Sequence, residues 1–465
     1  MNKETHVKNC IALLSSLLFA GAAACGDDGS ANLPVDAPNV PIDTPQGGSV
    51  IRLNDDITAD TTFLAKNTYV IPRLKQLFVK NGATLTIEPG TVIQGEQGSV
   101  LVITRGSKIN ATGTAAKPII MTSAQPTGQR TGGFWGGLLV LGAAPINVNA
   151  LPAPGNPEAT FEAFTSSIPE GKFGGTNAAD SSGTLKYVRI EFAGFNFVAD
   201  REFNNLTLCG VGSGTTIDFV QVHGGTDDGI EFFGGTVNVK HIVSSQNQDD
   251  GFDTDNGWVG KAQFLIVQNI AHPATLPEAS NGYESDNHGT ATSYNATPRT
   301  EPTIYNATLI GDHAYTGVAS FAAVFRRGTS GHYFNHIWYG FPKGPEFRDP
   351  ETLAQLTASK LEIKNSMFFN NDATTTNLPA AQTTGDIDES LYISTANNDR
   401  VNVDPGLGAD ALSRTAPSFK PAASAAALTG GATPPNDGFF DTTASFVGAV
   451  GTEDWTVGWT SYPQN

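Results

Sequence analysis

Ile217-Asp-Phe-Val-Gln-Val-His-Gly-Gly-Thr-Asp-Asp-Gly-Ile-Glu231 is repeated as Val239-Lys-His-Ile-Val-Ser-Ser-Gln-Asn-Gln-Asp-Asp-Gly-Phe-Asp253. Each copy is a β-branched and aromatic run, a turn, then an Asp-Asp-Gly step into a second short run. The offset from Asp228 to Asp250 is 22 residues, which suits one coil of a solenoid. Adjacent parallel strands lie about 4.8 Å apart, so equivalent residues of successive coils stack in columns. The pattern continues. Asp250-Gly-Phe-Asp-Thr-Asp-Asn256 returns as Asn281-Gly-Tyr-Glu-Ser-Asp-Asn287 after a loop, 271–279, placed to shield the acidic face or shape a site. Ala323-Val-Phe-Arg-Arg-Gly328 aligns with Ile230-Glu-Phe-Phe-Gly-Gly235, and Asn269 is expected under Asn247 as a stacked amide.

Outward from this centre the chain reads as short β-rich runs, at 77–80, 84–87, 92–93, 100–104 and 119–122. Helical periodicity is nearly absent, and 51 Gly and 27 Pro supply dense turn signals. Leu85-Thr-Ile-Glu-Pro-Gly-Thr-Val-Ile93 resembles the opening coil of right-handed parallel β-helix proteins. The expected fold is all-β, a right-handed parallel β-helix over 51–407. Residues 408–465 form a C-terminal extension whose aromatic end, Asp454-Trp-Thr-Val-Gly-Trp459, is expected to cap the last coil against edge pairing.

The first residues read as export machinery. Lys3 and Lys8, the apolar run 11–20 and Gly21-Ala-Ala-Ala24 form a signal peptide over 1–24. Cys25 follows and is the expected lipidation site, with ordinary secretion as the alternative. Residues 25–50 carry Asp and Pro in a composition that favours solvated, extended chain, hence a tether. The expected address is the outer membrane or cell surface, with a lipid anchor as the membrane contact. Cys209 is then left alone, so no internal disulfide is expected. A formal charge of −18 disfavours nucleic acid as a partner. Extracellular glycans and cell-surface proteins remain compatible.

Gly132-Gly-Phe-Trp-Gly-Gly137, the turns from Asp227 and Asp249, Arg326-Arg-Gly328 and the closing Trp segment resemble a family of secreted or lipid-anchored bacterial β-helix proteins. That resemblance spans roughly 77–459. It implies fold and surface location, and no catalytic residues.

Three columns follow from the alignment: Asp228, Asp250 and Asn281; Glu231, Asp253 and Glu284; Phe233, Asp255, Asp286 and Arg326. Like charges about 5 Å apart repel by roughly 3 kcal/mol at an effective dielectric of 20, so stacked acids call for neutralisation. Calcium, with six to eight oxygen ligands in loose geometry, is the one cofactor expected, on Asp250, Asp253, Asp255, Glu284 and Asp286. The competing structural reading is that the acids cap turns. An enzymatic reading, a polysaccharide lyase or glycoside hydrolase, would use Asp228, Asp250, Asp253, His288 and Arg326. Asp249-Asp250 resembles the paired aspartates of polygalacturonases, but that family's Gly-His-Gly and Arg-x-Lys signatures are missing. His332 and His336 are too far apart on a strand to share an ion, and Trp135, Trp258 and Trp338 are expected to pack rather than to stack on sugars.

Overall fold

The computed structural model describes residues 48–148, 158–197, 202–270, 280–313, 320–371, 378 and 387–465. The signal segment, Cys25, the tether up to residue 47 and the loop 271–279 lie outside the described residues. Two parallel sheets, of sixteen and nine strands, wind together as a right-handed parallel β-helix. In-register columns run through the core. Leu185, Ile217, Val239, Ala262, Ile304, Tyr333 and Ile363 pair in succession along the larger sheet. Leu206, Ile230, Phe252, Tyr283 and Ala323 do the same along the smaller one. All are buried. At about 1.5–3 kcal/mol for each large apolar side chain, these columns are the main stabilising element of a fold with no disulfide among the described residues.

The long strands Gly183–Glu191, Thr216–His223, Asn238–Ser245, Lys261–Asn269, Thr303–Gly311 and Gly331–Tyr339 are each bent at one residue. Tyr187, Phe219, His241, Phe264, Asn306 and Asn335 occupy a single column, all with φ between 50° and 61°. That left-handed conformation costs an aromatic residue about 1–3 kcal/mol. Stacking offsets it in part, with ring centroids 4.4 Å apart for Tyr187 and Phe219 and 4.1 Å for Phe219 and His241.

The C-terminal segment covers this bend, where the expectation was the last coil. Trp459 packs edge-on against Tyr187 and Phe219, and Trp455 against His241. The end of the solenoid is closed instead by Ile387 and Ile393, buried in the main core, and by Tyr392 against Phe347. The physical reason is supply: the bent column presents aromatic surface along the flank, and the closing Trp residues bury it.

The spacing is less uniform than the repeat implies. His223 pairs with Ser245, an offset of 22, but Ser245 pairs with Gln268. One extra residue, in the turn after Asp255, shifts Asn269 out of the column. Asn247 bonds instead with Asn205, whose Nδ2 donates to Asn247 Oδ1 at 2.7 Å.

Candidate functional site

The Asp-Asp-Gly step sits where the chain turns into the smaller sheet. Its second acid ties adjacent coils together. Asp228 Oδ1 accepts from Asp250 N at 2.9 Å, Asp250 Oδ1 from Asn281 N at 2.7 Å, and Asn281 Oδ1 from Phe321 N at 3.0 Å. Gly follows each because a Cβ would collide with Ser244 Oγ at Gly229, with Val267 at Gly251 and with Ala322 O at Gly282. This column is a turn ladder, as the structural reading of the sequence expected.

The second column is in register as Thr207, Glu231, Asp253, Glu284, Val324 and Glu346. Beside it, Phe233 pairs with Asp255, and Asp286 and Arg326 follow. Arg326 Nε donates to Asp286 Oδ1 at 2.9 Å and its Nη2 to Glu284 Oε2, while Arg327 Nη1 reaches Asp286 Oδ2 at 2.6 Å. Asp349 braces this pair. It accepts from Arg327 N and caps the helix Pro350–Thr357 through Thr352 N.

Two of the five expected calcium ligands, Glu284 and Asp286, are therefore neutralised by guanidinium groups. Asp250 is committed to Asn281. Both Asp255 oxygens accept from Asn256, from N and from Nδ2 at 3.0 Å, and burial pushes its carboxyl up to about 7. Only Asp253 remains without a hydrogen bond among the described residues, its Oδ1 buried. Carboxylate oxygens of Asp228, Glu231 and Asp253 lie within 4.8 Å of one another, and Asp227, Asp228 and Asp249 form a second such group. Asn204 Nδ2 donates to Glu231 Oε2 at 2.6 Å, while Asn204 Oδ1 is buried and unbonded. Burial, then neighbouring carboxylates, push Asp228, Glu231 and Asp253 well above the usual acid range. The oxygen-rich centre thus lies a coil earlier than the sequence placed it. Glu231 was visible in the aligned column, and Arg326 signalled where neutralisation occurs. Asn204 and Arg327 had no such signal.

The five catalytic candidates divide. Asp250 and Arg326 line an open cleft of about 210 Å³ with Glu284, Phe321 and Arg348. Asp228 and Asp253 belong to the neighbouring acid group. His288 is occupied by main chain, its Nδ1 accepting from Thr290 N at 3.0 Å and its Nε2 donating to Val148 O at 3.2 Å. His332 lies between Glu301 and Glu362, and His336 is buried, its imidazole pushed down to about 3. Trp135, Trp258 and Trp338 are core residues with no exposed face for a sugar.

In-register coils with stacked side-chain columns define a parallel β-helix solenoid. The chain belongs to the pectate-lyase-like β-helix domain family, whose model matches residues 55–414. No curated protein and no solved structure matches it.

Proposed function

We propose that the protein is an exported β-helix with a binding or structural role, and that its acidic face holds calcium between Asp228, Glu231 and Asp253. The observation that carries this reading is the unbonded Asp253 carboxylate facing two others. Calcium–oxygen distances of roughly 2.4 Å place opposite ligands about 4.8 Å apart, the limit within which these three groups converge. A bound ion would offset the burial and like charge that push these carboxyls up, favouring their ionised forms together. Thermal unfolding with calcium and with EDTA tests it. Calcium should raise Tm in the parent and leave Asp253→Asn unchanged; identical curves in calcium and EDTA would remove the ion from the proposal.

A second reading, a polysaccharide lyase or glycoside hydrolase, is favoured by the cleft that joins Asp250 and Glu284 to Arg326 and Arg348. A panel of uronic-acid and neutral glycans should then yield products that vanish in Asp250→Asn. Export and lipidation at Cys25 belong to the same proposal. Mass spectrometry of the membrane fraction should find a diacylated N-terminal Cys25 peptide, and a peptide cleaved there without lipid would favour secretion.

A further inference from the structure

We infer that Asn204 supplies its side-chain amide oxygen as a fourth ligand to the cation centre of Asp228, Glu231 and Asp253, and so ties the ion to the hairpin that packs on Phe203. This role rests on the calcium reading proposed above and adds to it a neutral ligand and a link to a neighbouring element. Asn204 leads into the strand Leu206–Val211, one coil before the first Asp-Asp-Gly step. Its side chain is buried, at 2 % exposure, and its Oδ1 accepts no hydrogen bond.

Its place in the turn ladder makes this oxygen an exception. Asn205 N donates to Asp228 O, Gly229 N to Asp250 O, Gly251 N to Asn281 O and Gly282 N to Phe321 O. Asn204 is therefore the equivalent of Asp228, Asp250 and Asn281. Each of those three accepts through Oδ1 from the main chain of the following coil. Asn204 does not. Its Nδ2 donates to Glu231 Oε2 at 2.6 Å and to Thr207 Oγ1 at 3.2 Å, which turns the amide toward the acid group and leaves its oxygen beside it. Ionised carboxylates only accept, so within this group the oxygen finds its partner in a cation. Calcium takes side-chain amide oxygens together with carboxylates. An uncharged ligand fills part of its shell without adding to the repulsion among three carboxylates whose oxygens lie within 4.8 Å of one another.

The residue before Asn204 carries the link. Phe203 is buried and packs on Phe161 and Phe164, with ring centroids 5.5 and 6.1 Å apart. Both rings belong to the connection between Ala159–Thr160 and Lys172–Phe173, two short strands that pair only with each other. Phe161 also meets Phe233 at 5.7 Å, and Phe173 meets it at 6.4 Å. Phe233 stands two residues beyond Glu231 on the same strand. The hairpin thus sits on rings whose chain neighbours, Asn204 and Glu231, both hold the ion. Drawing the two onto one cation fixes those rings, and the hairpin then opens less often.

Calorimetric titration of the full chain with calcium, and hydrogen exchange of residues 158–173 with and without it, test this. Calcium should bind the parent and slow exchange in the hairpin. Asn204→Leu should weaken calcium binding about tenfold, the loss of one charge-assisted contact, and should show less slowing in the hairpin even at saturating calcium. Asn204→Asp separates a ligand from a brace, because it keeps an oxygen at this place and removes the Nδ2 donor to Glu231. It should bind calcium at least as tightly as the parent, since ligand charge raises affinity. Binding weakened in Asn204→Asp as much as in Asn204→Leu would mark the amide as a brace for Glu231 and overturn the inference. So would parent-like affinity in Asn204→Leu, or hairpin exchange that calcium leaves unchanged. Those three outcomes leave the calcium reading standing; a parent that binds no calcium would remove both.

Discussion

Gln221 and Ser461 bind each other twice: Gln221 Nε2 donates to Ser461 O at 2.7 Å, and Ser461 N donates to Gln221 Oε1 at 2.9 Å. The side-chain amide stands in for the peptide of a neighbouring strand. Gln263 repeats the arrangement with Asp441, at 3.2 and 2.7 Å, and Asn335 with Ala432, at 2.8 and 2.7 Å. The C-terminal segment contributes only short turns such as Ala409–Leu412 and Ala426–Leu428, so these amides do what strand pairing does elsewhere.

Removing such an amide strands a main-chain donor and acceptor together. Gln221→Ala is expected to cost about 1–3 kcal/mol, and Gln221→Ala/Gln263→Ala more. Limited proteolysis should then cut within 403–465 before the coils. Unchanged cleavage in the double variant would show that ring packing of Trp455 and Trp459 holds the segment alone.

Arg326 neutralises the half-buried carboxylate of Glu284 and, with Arg327, the buried one of Asp286. Arg326→Ala leaves Glu284 without its ion pair and Asp286 with Arg327 alone, an expected loss of about 3 kcal/mol in urea unfolding. Adding Glu284→Gln to that variant should restore part of the loss, because a neutral amide needs no counter-charge. No recovery in the double variant would mean that lost packing, not lost charge, dominates.

If calcium sits between Asp228, Glu231 and Asp253, calcium at a hundredfold excess over its Kd should stabilise the fold by about 2.7 kcal/mol. Glu231→Gln should lose that increment, whereas Asp255→Asn should keep it, since Asn256 already occupies both Asp255 oxygens. The reverse pattern would return the ion to the later coil.

Asp399 supplies a pH-dependent term away from the acidic face. Burial pushes its carboxyl up to about 8, although its Oδ1 accepts from Ser366 N at 3.0 Å. The folded state therefore holds a proton that the unfolded chain releases near its reference value of about 3.9. Stability from this group is full below about pH 4 and is lost as pH rises through 8. Asp399→Asn keeps the acceptor and removes the titration. In calcium-saturated buffer its stability advantage over the parent should grow from pH 5 to 8; a constant difference would remove Asp399 from the pH response.

The coil spacing and the acid columns were legible because a solenoid makes tertiary neighbours of residues at a fixed sequence offset. The pairs Glu231 with Asp253 and Asp253 with Glu284 could be counted along the chain, and so could the longer interval around 271–279. The turn role of Asp228 and Asp250 followed from the same periodicity.

What periodicity could not reach was set by contacts between segments that do not repeat. Arg327 meets Asp286, Asn204 meets Glu231, and Gln464 meets Arg414; none of these pairs has a fixed offset to read. The left-handed φ of Phe219 and His241 is likewise invisible, because residue type argues against it and only the bend of the coil imposes it. The sequence by itself determined the β-helix and the rows of acids. Only the tertiary structure decided which acids are neutralised by arginine, which are left facing one another, and that the C-terminal segment lies along the flank.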